Sequence, residues 1–403
     1  MTGLPLGIPA MGLATPIGTG RAAVAAALFA GTRSGLVARD DVIPGRTVRV
    51  GAVPGPLPPV AAAHDTRNNR LMGVALAQIA DAVEQAAARF GRHRVAVVLG
   101  TSTAGIAEGE AAYAARARGG AWPPGFHYRQ QETGSLSAFA ADALGLTGPA
   151  YTVATACSSS AKVFAAARRL IRAGLCDAAV VGGADTLCRM TVGGFASLEA
   201  VSAGLCNPFG ANRDGINVGE AAAAFLLTRD PAPVMFLGAG EGSDAHHVSA
   251  PDPEGRGALE AMRAALADAG LTPADVAYVN LHGTGTALND SMEGKAVHAL
   301  FGAAVPCSAT KAMTGHTLGA AGACEAAFLW LTLSRADNPD GLLPPHLWDG
   351  AADPAIPPLA LAAPGARLAD PAGPAAMLSN SFAFGGSNVA LVLGRGSGWG
   401  GMP

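Results

Sequence analysis

The chain alternates short, almost wholly apolar runs with longer segments whose apolar positions recur every three or four residues. This rhythm predicts strands buried on both faces and joined by helices. Arg94 to Ser102, Asp177 to Asp185, Ala221 to Thr228, Val234 to Gly240 and Val276 to Leu281 read as such strands. Helices are expected from about Gly20 to Ala30, Asn68 to Phe90, Ser135 to Leu144, Arg256 to Gly270 and Ser291 to Phe301. Another should open at Cys157 and stop near Gly174, and a long one should run from His316 to about Ala336. Val42 to Pro59 reads as a loop with short extended pieces, Asn207 to Glu220 as a loop, and Ala376 to Ser379 and Asn388 to Gly394 as the last strands. Asp230-Pro231-Ala232-Pro233 breaks the pattern and divides the chain into residues 1–230 and 231–403. The halves look like loose echoes: Val95 to Thr101 and Val276 to Thr286 are both strands giving way to Gly/Thr turns, and small residues follow both Cys157 and His316. The expectation is an α/β fold of two pseudo-symmetric βαβ-rich halves whose central helices bring Cys157 and His316 to one site.

Composition narrows the classes. Half of the 403 residues are apolar, so a large core is assured, and a net charge of −3 with mixed signs offers no field for nucleic acid or an anionic membrane. Met1 to Pro5 lacks the basic-then-apolar pattern of a secretory signal. The most apolar long run, Leu318 to Leu333, carries Glu325 and reads as a buried helix rather than a span. A soluble, cytoplasmic protein is expected. The six cysteines show no C-x-x-C and no zinc-like spacing, which argues against a disulfide framework or a metal site.

Chemistry concentrates in four places. In Tyr151-Thr152-Val153-Ala154-Thr155-Ala156-Cys157-Ser158-Ser159-Ser160, a strand runs into a cysteine at a helix start, where unpaired N–H groups and the helix dipole favour a thiolate. A packing cysteine is the competing reading. The others are His282-Gly283-Thr284-Gly285-Thr286, the stretch Lys311 to Glu325 around Gly315-His316, and Asn380-Ser381-Phe382-Ala383-Phe384-Gly385-Gly386-Ser387-Asn388. Alone, each histidine or Gly-Gly turn would pass as structural. Together they supply a nucleophile, hydrogen-bond donors and backbone N–H groups for an oxyanion.

These motifs, in this order and with Pro208 to Gly215 before Gly219-Glu220, resemble the β-ketoacyl-[acyl-carrier-protein] synthases of the condensing-enzyme family. The resemblance implies a thiolase-like fold, a five-layered α-β-α-β-α sandwich, with Cys157 on the N-terminal half and the histidines on the C-terminal half. It implies a decarboxylative Claisen condensation between an acyl group on Cys157 and malonyl-acyl carrier protein. His282 and His316 match the decarboxylating pair, and Lys311 and Glu325 the charged residues beside them. Thr284 and Thr286 match residues that bind the phosphopantetheine arm, and Phe384 matches the gating residue whose N–H joins that of Cys157 in the oxyanion hole. No cofactor beyond the carrier's own arm is implied. The expected partners are an acyl carrier protein and a second copy of the chain, with a related ketosynthase-like subunit as the alternative. An inactive chain-length-factor-like subunit and a thiolase-like acyltransferase are the rival functions. Ala383 stands where the family usually has Gly, implying less freedom in the gating turn, and Ala287 where Pro is common. With Phe126 to Glu132, such variants are similar to the aryl polyene subgroup.

Overall fold

The structure, a computed structural model, describes residues 4–396; residues 1–3 and 397–403 of the two expected halves lie outside the described residues. From one edge, the main sheet runs Ala360–Leu361, Pro306–Ser308, Val276–Asn280, Ala375–Ala383, Ser387–Arg395, Val234–Ser243, Leu6–Thr15, Ala221–Thr228, Ala178–Asp185, Val95–Gly100 and Ala150–Val153. Setting aside the short Ala360–Leu361 strand and numbering strands within each half, both halves read 3-2-4-5-1 from the edge inward. In both, strand 2 is parallel to 3 and 4, while strand 5 is antiparallel to 4 and 1. The echo seen in the sequence is thus a repeat of topology. Within the main sheet, the halves join through two ladder pairs among the described residues, Leu6 with Phe236 and Gly7 with Met235.

Side-chain alternation along the strands builds the layers. Phe225 and Leu227 point to one core with Leu391 and Leu393, whereas Ala224 and Leu226 point outward to a second core, and Ala390 and Val392 to a third. The shared core holds the helices Ser159–Arg172 and Ala321–Leu333, sandwiched between the two half-sheets. Outer helices Arg67–Ala77, Ala80–Phe90 and Ser135–Leu144 cover the first half-sheet, and Arg256–Ala269 and Ala287–Phe301 the second. The central helices approach through small residues: a Cβ on Gly322 would lie 2.5 Å from that of Ala161, and the Ala323 N–H donates to Ser160 Oγ at 2.8 Å.

Several boundaries differ from the sequence reading, each for a local reason. The long helix starts at Ala321, not His316, because Leu318 takes a left-handed φ of 52° and a short 3-10 turn over Leu318–Ala320 intervenes. The stretch Asn68 to Phe90 is two helices, because Gln78 spends its amide on both the N–H and the C=O of Leu13. The short extended pieces expected after Val42 include Arg46–Gly51, which pairs with Leu36–Ile43 as a hairpin. The helix Arg189–Ser197, with Gly193-Gly194 in its middle, gave no sequence signal.

Candidate active site

Cys157 follows Ala156, whose φ of 50° is unusual for a residue with a Cβ, and precedes the first helical residue by two. That strained elbow turns the thiol out of the strand and toward the other half. His316 arrives from the second half, its backbone N–H donating to Asn217 O at 2.6 Å, and its Nε2 lies 3.1 Å from Cys157 Sγ. His282 stands at the end of strand Val276–Asn280, with its ring 5.3 Å from that of His316 and nearly perpendicular to it. All three are buried and line one cavity of about 400 Å³, as do Thr284, Thr286 and Phe384.

Lys311 and Glu325 do not line the cavity; they form a buried ion pair behind it. Lys311 Nζ also meets His282 O and, at 3.2 Å, His282 Nδ1. A protonated amine has three donors and no acceptor, so these contacts satisfy it and make His282 Nδ1 the acceptor. The His282 ring proton therefore sits on Nε2. Burial first, then the Lys311 charge, lowers both histidines well below the ordinary imidazole value, so both rings are neutral at pH 7. Burial raises Glu325 to about 7 against the attraction of Lys311.

The expected preference of Cys157 for the thiolate fails in the resting protein. Burial pushes the thiol up to about 12, against the Lys311 charge and a Phe384 backbone N–H that donates to the sulfur. The helix start contributes little because the Ser158 and Ser159 N–H groups already bond to Thr155 O and Ala156 O. The Phe384 turn reaches the sulfur because its glycines take left-handed φ values, 79° at Gly385 and 70° at Gly386. Ala383 has an ordinary extended backbone at φ −115°, so the substitution does not fall on a residue that needs glycine. Hydrogen bonds from Gly385 N–H to Val248 O and from Asp244 N–H to Gly386 O hold the turn, with the Phe384 ring against Phe195. Thr284 and Thr286 face each other with hydroxyl oxygens 2.9 Å apart.

Residues 60–232 match the beta-ketoacyl synthase N-terminal domain and residues 235–346 the C-terminal domain. A solved ketosynthase (ApeO) in complex with its chain length factor (ApeC) from Xenorhabdus doucetiae is similar at 46% identity and a TM-score of 0.92, covering 98% of both chains. The chain belongs to the beta-ketoacyl synthase family. Its fold is accordingly thiolase-like. The ishigamide ketosynthase/chain length factor is also similar, at 27% identity and a TM-score of 0.87 over 98% of this chain and all of that one. The 3-oxoacyl-[acyl-carrier-protein] synthase 2 of Rhizobium meliloti (strain 1021) is 37% identical over 269 residues, 62% of each chain. That of Staphylococcus aureus is 35% identical over 267 residues, 62% of this chain and 64% of that one. The chain thus matches less than two thirds of the length of these curated relatives.

Two buried carboxylates of this beta-ketoacyl synthase family member escaped the sequence reading. Glu293 accepts from the His282 and Gly283 N–H groups at 2.7 Å each and from Asn380 Nδ2 at 3.1 Å, fixing the His282 turn. Asp185 does the same for the turn after Val95–Gly100, accepting from Ser102 N–H at 2.8 Å and Thr103 N–H at 2.9 Å. The available signal was an acid that ends or interrupts an apolar, doubly buried element. Among the described residues, no cluster of three or more His, Cys, Asp or Glu could hold a metal ion, and no helix is long and apolar enough to cross a membrane.

Proposed function

We propose that the chain is a β-ketoacyl-[acyl-carrier-protein] synthase that extends an acyl chain by two carbons, with residues 1–230 supplying the nucleophile and 231–403 the histidines. The observation that carries this reading is the 3.1 Å contact between His316 Nε2 and Cys157 Sγ, beside a second neutral imidazole in the same cavity. Cys157 attacks the thioester carbonyl of a carrier-bound primer as its proton passes to His316 Nε2. The carbonyl oxygen becomes an oxyanion held by the N–H groups of Cys157 and Phe384, each worth about 3 kcal/mol in comparable sites. The carrier's pantetheine sulfur then leaves as the thiol, taking the proton.

The free carrier departs and malonyl-carrier protein enters, its arm lying along Thr284 and Thr286. Loss of carbon dioxide breaks the carboxyl carbon bond and leaves an enolate. That step needs hydrogen bonds to the enolate oxygen rather than a strong base. His282 Nε2–H provides one, held in this tautomer by Lys311. Acylation frees His316 Nε2 from the thiol, and because its Nδ1 has no hydrogen-bond partner among the described residues, the ring proton shifts from Nδ1 to Nε2, which then donates the other. The Lys311–Glu325 pair serves to position these rings rather than to move protons. The enolate carbon attacks the acyl-Cys157 carbonyl, the thiolate leaves, and the β-ketoacyl product remains on the carrier. The arm is the carrier's own, so the chain needs no free cofactor.

The likeness to the ketosynthase–chain length factor complex supports pairing with a second thiolase-like subunit, either a copy or a relative. The 3-oxoacyl-[acyl-carrier-protein] synthase relatives support an acyl carrier protein as donor, and the resemblance of the sequence variants supports an aryl polyene type of product. The test is incubation of wild type and Cys157→Ala with acyl- and malonyl-carrier protein, read by intact mass. Wild type should gain the acyl mass and release a product two carbons longer, and the variant should do neither. Equal elongation by both proteins would sink the reading, and a wild type that never becomes acylated would favour a chain-length-factor role.

A further inference from the structure

Asp185 ends a strand buried along its whole length and is itself fully buried, yet among the described residues no cation pairs with it. Its carboxylate is instead saturated by neutral donors. Oδ1 accepts from the Thr101 hydroxyl at 2.6 Å, from both the N–H and the hydroxyl of Thr103 at 2.9 Å, and from the Ser102 N–H. Oδ2 accepts from the Ser102 hydroxyl and from the Gly319 N–H, the latter at 2.5 Å. Gly319 also donates to Ser102 Oγ at 3.2 Å. Five of the six bonds to Asp185 stay within the first half, and the sixth, from Gly319, crosses to the segment that carries His316.

The crossing bond lands where the second half most needs an anchor. Between His316 and the helix at Ala321 the chain passes through the left-handed Leu318, a conformation that a branched side chain does not hold unaided. The space is also built around it: a Cβ on Gly319 would lie 2.8 Å from Asp185 Oδ2 and from Ser102 N. Cys157 follows a strand of the same half-sheet, so a bond from Asp185 to the His316 segment fixes the imidazole relative to the thiol.

The geometry points to Asp185 as the positioning residue that holds His316 against Cys157 from the opposite half of the molecule. This rests on the reading of Cys157 and His316 as one site. Asp185 touches no reacting atom; its own charge raises the Cys157 thiol, so slower alkylation on losing that charge can come only through the His316 segment. Asparagine is nearly isosteric, but its NH2 group must face donors, so Asp185→Asn loses acceptors without losing volume. Ser102→Ala is the milder cut, removing one hydroxyl that touches both Asp185 and Gly319.

The test is the rate of carbamidomethylation of Cys157 by iodoacetamide from pH 6 to 10, read by peptide mass in the full-length protein, with folding checked by thermal melting. Four variants are compared with wild type: His316→Ala, Asp185→Asn, Ser102→Ala and the Asp185→Asn/His316→Ala double. Near neutral pH, His316→Ala is expected to slow the reaction on the order of tenfold, the effect of one hydrogen bond to an ionising group. Asp185→Asn should reproduce that pH profile, Ser102→Ala should shift part of the way, and the double variant should match His316→Ala alone. Faster or unchanged alkylation in folded Asp185→Asn, or effects that add in the double variant, would overturn the proposal. If Asp185→Asn does not fold, Ser102→Ala decides by the same criterion. The assay needs no carrier protein, so failure of the condensing function in the elongation experiment would leave this result readable.

Discussion

His346 is a buried histidine whose hydrogen bonds oppose a second ring proton. Its Nδ1 accepts from the Ala309 N–H at 3.1 Å, so its proton sits on Nε2, which donates to Pro208 O at 3.0 Å. A second ring proton would face a backbone donor, and burial lowers the group to about 4. The neutral ring therefore contributes full stability above the unfolded imidazole value of about 6.5, and that contribution is lost as pH falls toward 4. The loss is roughly 3 kcal/mol at the acid end. Thermal melting between pH 7 and 4.5 should show a smaller drop in midpoint for His346→Gln than for wild type; an identical drop would show that other groups carry the acid sensitivity. At this scale the sequence disclosed the residues that sit in compact motifs, Cys157, His282 and His316. It hid Asp185 and Glu293, because a single acid carries no sign of which N–H groups it will meet. The thiol preference at Cys157 was misjudged because burial, a tertiary property, outweighs the helix start.

Among the elements, the crossing of the two central helices is the tightest constraint. Glycine inside a helix is ordinarily worse than alanine by about 1 kcal/mol, so Gly322→Ala would stabilise an isolated helix. Here the new methyl would meet Ala161 Cβ at 2.5 Å and Ala161 N at 2.8 Å. The expected outcome is a net destabilisation of about 1–3 kcal/mol by chemical denaturation, the usual effect of overpacking. It should come with slower condensation, since Cys157 and His316 lie at this crossing. A neutral or stabilising result would mean that the helices part freely. Strands were well read from sequence, since runs such as Val95 to Gly100 have no exposed face to disguise them. The poorly read elements depended on partners far along the chain, as when the Gln78 side chain, bound to Leu13, interrupts a helix.

At the scale of the whole molecule, the strand Ala150–Val153 is an open edge of the main sheet, and Tyr151 on it is 38% exposed. Such an edge is a template for another strand. The proposed second subunit would take this place and cover the start of the segment leading to Cys157. Tyr151→Lys should leave the fold intact and shift sedimentation toward the monomer; an unchanged association constant would place the contact elsewhere. The half-repeat was visible in the sequence only as a vague echo because topology is duplicated while side chains are not. The turn after strand 2 is capped by Asp185 in one half and by Glu293 in the other, the same device made from different residues.

The main sheet passes from one half to the other through the two ladder pairs of Leu6–Gly7 with Met235–Phe236, and the thiol and its imidazoles lie on opposite sides of that seam. Reactivity is therefore an interlock with two keys. A chain with only one half in place, as during synthesis, holds a cysteine without its base or a base without its cysteine. On the proposed function, uptake of an acyl group would certify that both halves have closed.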